Sequence, residues 1–469
     1  MTLDERLFYS TNAWKSGGFS LPAGIVERDI HDLAVRFLND KEILTLIGLR
    51  QTGKSTLVLQ LISDLLKKGI GPERIFYFTL DDLSLRQELS ASPAHFLSIM
   101  ERFLGEDIEQ LKTRLYIFID EVQKLPGFVE YIKALYDLRL PVKWVLTGSS
   151  SLTLKAQIKE SLAGRVLSLS ILPFSETEIF KGYGYPPPDK SGIRNFLFGK
   201  ATFDRKALKQ HQAQLMPHKQ KILRFLDETM VFGGLPAVAL SADPERKQVL
   251  LRNYRDTYLE QDIRNLVRED KLWVYQKVME LMAARVGDIL NYSTIATQLE
   301  VTVDTIKRYT MLLEKTFIII NLTTYSRNLR NEVLKTPKVY FTDLGLRNIL
   351  LGLTELSQLE RLNQYGIALE NAMVDRLNTY LSRWNPAARL HYWRTKSKDE
   401  VDLVIYTPDR LIPLEVKSDK KVQTRHLKGL RSFLQKEKEK TGILVGRFVD
   451  ADIIEEGKTK IVLLPHWMI

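Results

Sequence analysis

The chain has 469 residues, 44% of them hydrophobic and 27% charged, with a formal net charge of +11. That length is too great for one ordinary core, so about three domains are expected. Cysteine is absent, which excludes disulfides, thiolate zinc sites and cysteine nucleophiles, and no run of about 18 apolar residues exists to form a helical membrane span.

Residues 1–20 lack the basic start and apolar middle of a signal peptide, so a cytoplasmic protein with no membrane association is expected. Residues 1–40 read as a mainly helical lead-in, with Leu33, Val35, Phe37 and Leu38 available to pack on the adjoining domain. From residue 41 to about 171, apolar runs at 43–47, 74–79, 115–119, 143–147 and 166–171 alternate with helical stretches. That alternation is the sequence form of a mostly parallel sheet with crossover helices, and residues 1–180 are assigned to this domain.

Between the first run and a stretch of helical periodicity lies GLRQTGKS, residues 48–55, which fits G-x-x-x-x-G-K-[ST] at every fixed position. Unpaired N–H groups at a helix start, together with the helix dipole, favour phosphate oxygens. Gly48 and Gly53 let the loop wrap closely, and Gln51, Thr52 and Thr56 complete it around a nucleotide. Lys54 would reach the β- and γ-phosphates of ATP, and the Ser55 hydroxyl would ligate Mg²⁺. The competing reading is a glycine turn with no ligand.

The run at 115–119 ends in Asp120 and Glu121. Asp120 would complete the Mg²⁺ shell and Glu121 would orient the attacking water, because phosphoryl transfer depends on positioning and electrostatics. Thr147-Gly148-Ser149 ends the next run, where the Ser149 hydroxyl either senses the γ-phosphate or caps a helix. Arg165 is either a finger that neutralises phosphate charge in a neighbouring subunit or one half of a structural ion pair.

Three consecutive prolines at 186–188 break the pattern, and residues 181–220 carry eight Lys/Arg and two His against two acids. With little apolar periodicity, they read as a basic insertion or linker. A helical region is expected at 221–285, interrupted at FGGLP, residues 232–236. Residues 286–350 read as a winged helix-turn-helix module. Ser293 and Thr302 cap its two helices, and strands at 317–323 and 338–341 form the wing. Thr305, Lys307 and Arg308 on the second helix are placed to enter a DNA groove, and Arg327, Arg330, Lys335 and Lys338 in the wing to neutralise phosphates. The bland alternative is a packing or protein-binding module.

Residues 351–469 form the last region, with a helix around 369–380 and strands at 390–393, 400–406, 411–416 and 442–445. Strand alternation puts Glu415 and Lys417 on one face, next to a strand holding Asp402. Adjacent acids suit a hard divalent metal, and a lysine beside them stabilises a hydroxide. The D…ExK arrangement resembles the restriction-endonuclease-like fold. The resemblance implies metal ligands at Asp402 and Glu415, water activation by Lys417 and an accessory acid at Glu370. Retention of the fold for binding alone is the alternative.

As a whole the chain resembles the AAA-like P-loop ATPases of prokaryotes that carry a DUF4143-type C-terminal region. The motifs are GLRQTGKST at 48, IFIDEVQKLP at 117, LTGSSS at 146, LAGR at 162, FGGLP at 232, KVYFTDLGL at 338, and EVDLVI with EVKS beyond. The expected fold is α/β: a P-loop core, a winged module and a nuclease-like α/β tail. The expected function is Mg²⁺-dependent ATP hydrolysis acting on DNA, branched or forked forms included, by a homo-oligomer such as a hexamer. A nucleotide-controlled switch for a protein partner and an ATP-regulated metal-dependent nuclease are the alternatives.

Overall fold

A computed structural model of the chain describes residues 5–149, 162–199, 201–202, 204–264, 266–327, 336–385 and 387–469. The chain divides into two compact units. One comprises Met1–Leu172 with Lys315–Phe317, the other Pro173–Glu314 with Ile318–Ile469.

The first unit is built on five parallel strands, β1 (Ile43–Gly48), β2 (Ile75–Thr79), β3 (Leu115–Asp120), β4 (Val142–Ser149) and β5 (Val166–Ile171), in the order β2-β3-β4-β1-β5. All five apolar runs are strands, as the sequence predicts. Helices cover both faces, so neighbouring strand residues enter opposite cores. Ile43, Ile47, Ile117 and Ile119 pack with Phe96 and Ile132, whereas Leu44, Leu46, Phe118 and Val145 pack with Leu57, Leu61 and Leu65 of the Lys54–Lys67 helix. Each such fully buried side chain contributes about 1.5–3 kcal/mol relative to exposure. The lead-in packs here too: Leu38 is buried in the second core, with Leu33, Val35 and Phe37 against it.

The lead-in also covers a free strand edge. The Asn12 amide donates to the Tyr77 carbonyl (2.9 Å) and accepts from the Tyr77 N–H (2.8 Å), and Trp14 Nε1 donates to the Ile75 carbonyl (3.1 Å). These bonds stand in for a neighbouring strand along β2, whose outer backbone groups would otherwise lack partners.

The second unit begins with helices. The stretch 181–220, expected as an insertion or linker, instead contains helices Ser191–Phe198 and Arg205–Leu215, with Ile193, Phe196, Leu197, Leu208 and Leu215 buried. They are fastened to the tail. Gln212 Nε2 donates to Asp450 Oδ1 (3.0 Å), and Arg205 pairs with Asp452 (3.0 Å). Two or three helical turns are too few for apolar periodicity to stand out against so basic a background.

The predicted helix pair is present at Tyr292–Gln298 and Val303–Lys315, followed by the antiparallel β6 (Ile319–Leu322) and β7 (Lys338–Phe341). Thr302 caps the second helix as expected, accepting from the Thr305 N–H (3.2 Å). The cap of the first is Asn291 rather than Ser293, its side chain accepting from Thr294 N–H (3.1 Å).

The tail sheet has six strands, β8 (Arg389–Arg394), β9 (Glu400–Thr407), β10 (Arg410–Lys417), β11 (Thr441–Gly446), β12 (Asp452–Glu456) and β13 (Thr459–Pro465), ordered β12-β13-β11-β10-β9-β8. β10, β11 and β13 run parallel and the outer pairings are antiparallel. Leu430, Phe433 and Leu434 of the Lys428–Glu437 helix fill its core against Val401, Val404 and Leu444. Among the described residues, no helix is long and apolar enough to cross a membrane.

His466, after β13, is buried with Nδ1 3.1 Å from the Gly446 carbonyl. Burial lowers its pKa from 6.5 to about 4. Between these values the unfolded chain binds a proton that the folded chain refuses, so stability rises with pH. The His466 contribution, read in urea melts as wild type minus His466→Gln, is expected to fall by about 3 kcal/mol as pH falls from 6.5 to 4, at about 1.4 kcal/mol per pH unit. A difference that does not change with pH would assign the acid sensitivity elsewhere.

Candidate functional site

Because β1, β3 and β4 are parallel, Gly48, Asp120 and Ser149 emerge at one edge of the first sheet. A side chain at Gly48 would run into the Ile171 carbonyl, and Gly53 has φ 86°, a left-handed value that favours glycine. The loop therefore needs both glycines. Gln51 also has positive φ (58°), Thr52 is buried with its hydroxyl donating to the Leu49 carbonyl (2.9 Å), and Thr56 lies in the first turn of the helix. Lys54 opens that helix, is 4% exposed, and donates to the Leu49 (2.8 Å) and Gly48 (3.3 Å) carbonyls.

Asp120 is the hub. Its Oδ2 accepts from the Ser55 hydroxyl (2.7 Å) and from the Tyr77 hydroxyl (2.8 Å), and its Oδ1 from the Thr147 hydroxyl and the Glu121 N–H (3.1 Å). Burial, then the Asp120 charge, holds the Tyr77 phenol far above its usual pKa, so Tyr77 stays a donor. Glu121 lies just past β3 with φ 58°. Its carboxylate accepts from the Gln123 amide, whose oxygen accepts from the Ser149 N–H (3.2 Å). Gln123 thus ties the acid after β3 to the end of β4. Arg28 braces the loop from behind: it donates to the Thr52 carbonyl and to the Leu172 carbonyl (2.7 Å). Tyr77 and Arg28 lie outside every motif read from the sequence, and Gln123, though within the IFIDEVQKLP stretch, has no spacing that marks its role.

Arg165 precedes β5 at the opposite edge of the sheet. Its carbonyl accepts from the Ile43 N–H (2.8 Å), and its Nε is 3.1 Å from Asp137 Oδ1. Six β1 residues, roughly 20 Å at strand rise, separate it from the loop of its own chain. The ion-pair alternative is therefore realised, and a finger role is left only across copies.

Residues 40–180 match the AAA domain family, and residues 365–465 match a domain of unknown function, DUF4143. The chain carries a P-loop domain of the AAA family and a C-terminal DUF4143 region. Between the two, residues 223–357 of this AAA-class protein match another domain of unknown function, DUF8612. An uncharacterized protein of Mycobacterium tuberculosis is 26% identical over 302 residues, covering 64% of this chain and 58% of the relative. An uncharacterized protein of Haemophilus influenzae is 23% identical over 323 residues, covering 68% and 71%. The chain thus spans little more than half the length of the mycobacterial relative. Among solved structures, PCH-2 of C. elegans is similar at 15% identity, over 54% of this chain and 69% of that one, with a TM-score of 0.27. Likeness that slight says nothing of function.

In the tail of the AAA-class protein, the β9–β10 ladder runs to Leu414↔Leu403, and the next residues are Glu415 and Asp402. There the side chains replace the ladder: Asp402 Oδ2 accepts from the Val416 N–H (2.9 Å) and Glu415 Oε2 from the Asp402 N–H (3.3 Å). Lys417 Nζ lies 2.7 Å from Glu415 and 3.4 Å from Asp402. Burial, then the Asp402 charge, raises the Glu415 carboxyl to about 8 and the Glu370 carboxyl to about 7. Glu370, on the Tyr365–Trp384 helix, accepts from the Tyr340 hydroxyl (2.6 Å), and with Lys417 it lines a cleft of about 500 Å³.

Lys338 departs from the wing expectation. It is buried beside Glu400 (2.5 Å) and Glu370 (4.0 Å), so it balances the acids of the tail and is not presented to phosphates. Its position on β7, which packs against the Glu370 helix, is a tertiary fact that spacing could not reveal. Among the described residues, no group of three or more His, Asp or Glu side chains is gathered to hold a metal ion.

Of the proposed DNA contacts, Lys307 is exposed. Arg308 is exposed and donates to the Leu266 carbonyl (3.2 Å). The Thr305 hydroxyl pairs with Thr302 (2.9 Å). Arg327 is bound to Glu437 (2.7 Å) with its side chain largely exposed. Arg330 and Lys335 lie outside the described residues.

Proposed function

We propose that this AAA-class protein hydrolyses ATP with Mg²⁺ and uses the cycle on DNA as a homo-oligomer. The observation that supports the hydrolysis is the convergence of Ser55, Asp120, Thr147 and Glu121 beside the phosphate loop. Lys54 and the first N–H groups of its helix would hold the β- and γ-phosphates. Ser55 and Asp120, already 2.7 Å apart, are hard oxygen donors that suit Mg²⁺, which would neutralise charge on the transferred phosphoryl group. Glu121 would orient the attacking water, and Gln123 would report its position to Ser149.

The DNA part is supported by the net charge of +11 and by exposed Lys307 and Arg308 on a helix that could lie along a groove. The test is ATP turnover with and without duplex, single-stranded and branched DNA, together with DNA affinity across a salt series. Stimulation by at least one DNA form and steep loss of affinity with salt are expected. A flat salt response without stimulation would leave a nucleotide switch for a protein partner.

Nuclease action is a second reading, motivated by Asp402, Glu415 and Lys417. The set as it stands fits a metal poorly, because Lys417 sits against both acids and Glu370 is turned to Tyr340. The tail therefore reads better as a binding module. Incubation of supercoiled and linear DNA with Mg²⁺ or Mn²⁺ should give no products, whereas products that vanish in Glu415→Ala and Lys417→Ala would mark a nuclease.

A further inference from the structure

Tyr77 touches the acid of the phosphate site without belonging to any nucleotide motif. On β2, the register pairs it with Phe118 of β3 and pairs Thr79 with Asp120. Residues two apart share a strand face, so Tyr77 stands diagonal to Asp120 across about 7–8 Å, a gap that an aromatic side chain spans. Its ring packs against the core that holds Leu57, Leu61 and Phe118. A phenyl ring would pack there as well, so packing does not account for the hydroxyl.

The hydroxyl acts on Asp120. A carboxylate has about four lone-pair sites, and Asp120, buried, meets four donors. The Ser55 (2.7 Å) and Tyr77 (2.8 Å) hydroxyls take Oδ2, and the Thr147 hydroxyl and Glu121 N–H (3.1 Å) take Oδ1. One orientation is thereby fixed. Oδ2 is the oxygen shared with Ser55, the other candidate Mg²⁺ ligand, and a Ser55 hydroxyl that ligates a metal must reorient. Tyr77 holds Oδ2 whether or not a metal is bound.

Tyr77 is itself held from the lead-in. Asn12, fully buried, brackets its N–H (2.8 Å) and carbonyl (2.9 Å) and donates to the Phe8 carbonyl (3.0 Å). A line of hydrogen bonds thus runs from the lead-in through β2 to the acid. We propose that Tyr77 is a positioning residue that orients Asp120 for the Mg²⁺ of a bound nucleotide, and that Asn12 sets its place. This rests on the ATP reading above and extends it to residues outside the nucleotide motifs.

The test is calorimetric binding of a non-hydrolysable ATP analogue, adenylyl imidodiphosphate, to the full chain in EDTA and across a Mg²⁺ series. In Tyr77→Phe, the Mg²⁺ concentration giving half of the metal-dependent gain in affinity should rise about tenfold, the change that one hydrogen bond to a charged group makes in an equilibrium. Affinity in EDTA should stay at the wild-type value. Asn12→Ala should shift the Mg²⁺ requirement in the same direction, and it decides the matter if Tyr77→Phe does not fold. Residues that only pack would lower the urea midpoint and leave that requirement unmoved, or weaken binding equally with and without metal. Either result would overturn the proposal and leave the ATP reading standing. No binding of the analogue by the wild type, in EDTA or Mg²⁺, would remove the ATP reading and this proposal together.

Discussion

Replacing Lys54 by Ala is expected to lower ATP turnover at least about a hundredfold, the scale on which removal of one preorganised donor acts at a developing oxyanion. The Lys54 ammonium is held by the loop carbonyls at 2.8 and 3.3 Å and is almost fully buried, so no exposed lysine can take its place. Binding should weaken along with turnover, because the same charge meets the phosphates in ground and transition states. Glu121→Gln separates the two effects: affinity by calorimetry should stay within a few fold while kcat falls. Wild-type turnover in the Lys54 variant would remove the hydrolase assignment outright.

The largest effect on stability is expected at Asp343. It caps the Leu344–Leu350 helix and accepts from the Gly234 N–H, so one carboxylate closes a turn and a helix end together. Gly233, at φ 75°, lies so close to the Asp343 carboxylate that a side chain there would collide with it. Asp343→Ala strands at least two buried N–H groups and should cost about 4 kcal/mol at about 1–3 kcal/mol each, read as a fall in urea midpoint. Asp343→Asn keeps one acceptor oxygen and should cost less. Equal and small losses in both would mean that the turn is held by packing alone.

How much the sequence reveals depends on how local the cause is. The phosphate loop, the acid pair at 120–121 and the five strands are set by spacing and by runs of apolar residues, so they can be read directly. The same holds for Asp402, Glu415 and Lys417, whose meeting follows from strand alternation and one antiparallel register. Tyr77 and Gln123 join the site because β2 borders β3 and because Glu121 turns back through positive φ, neither of which has a spacing signature. The place of Lys338 is illegible for the same reason: its partners arrive from a helix and a strand farther along the chain. The hairpin of β12 and β13, turning at Gly457 (φ 62°), leaves no clear pattern because its strands are short and mixed with charge.

The AAA match begins at residue 40, yet Arg28 grips both Thr52 and Leu172, and Asn12 and Trp14 close the margin of β2. A fragment trimmed to the family boundary would therefore keep every letter of the nucleotide signature and lose the brace behind it. In this protein, the contacts that hold the loop and the β2 margin start well upstream of the family boundary.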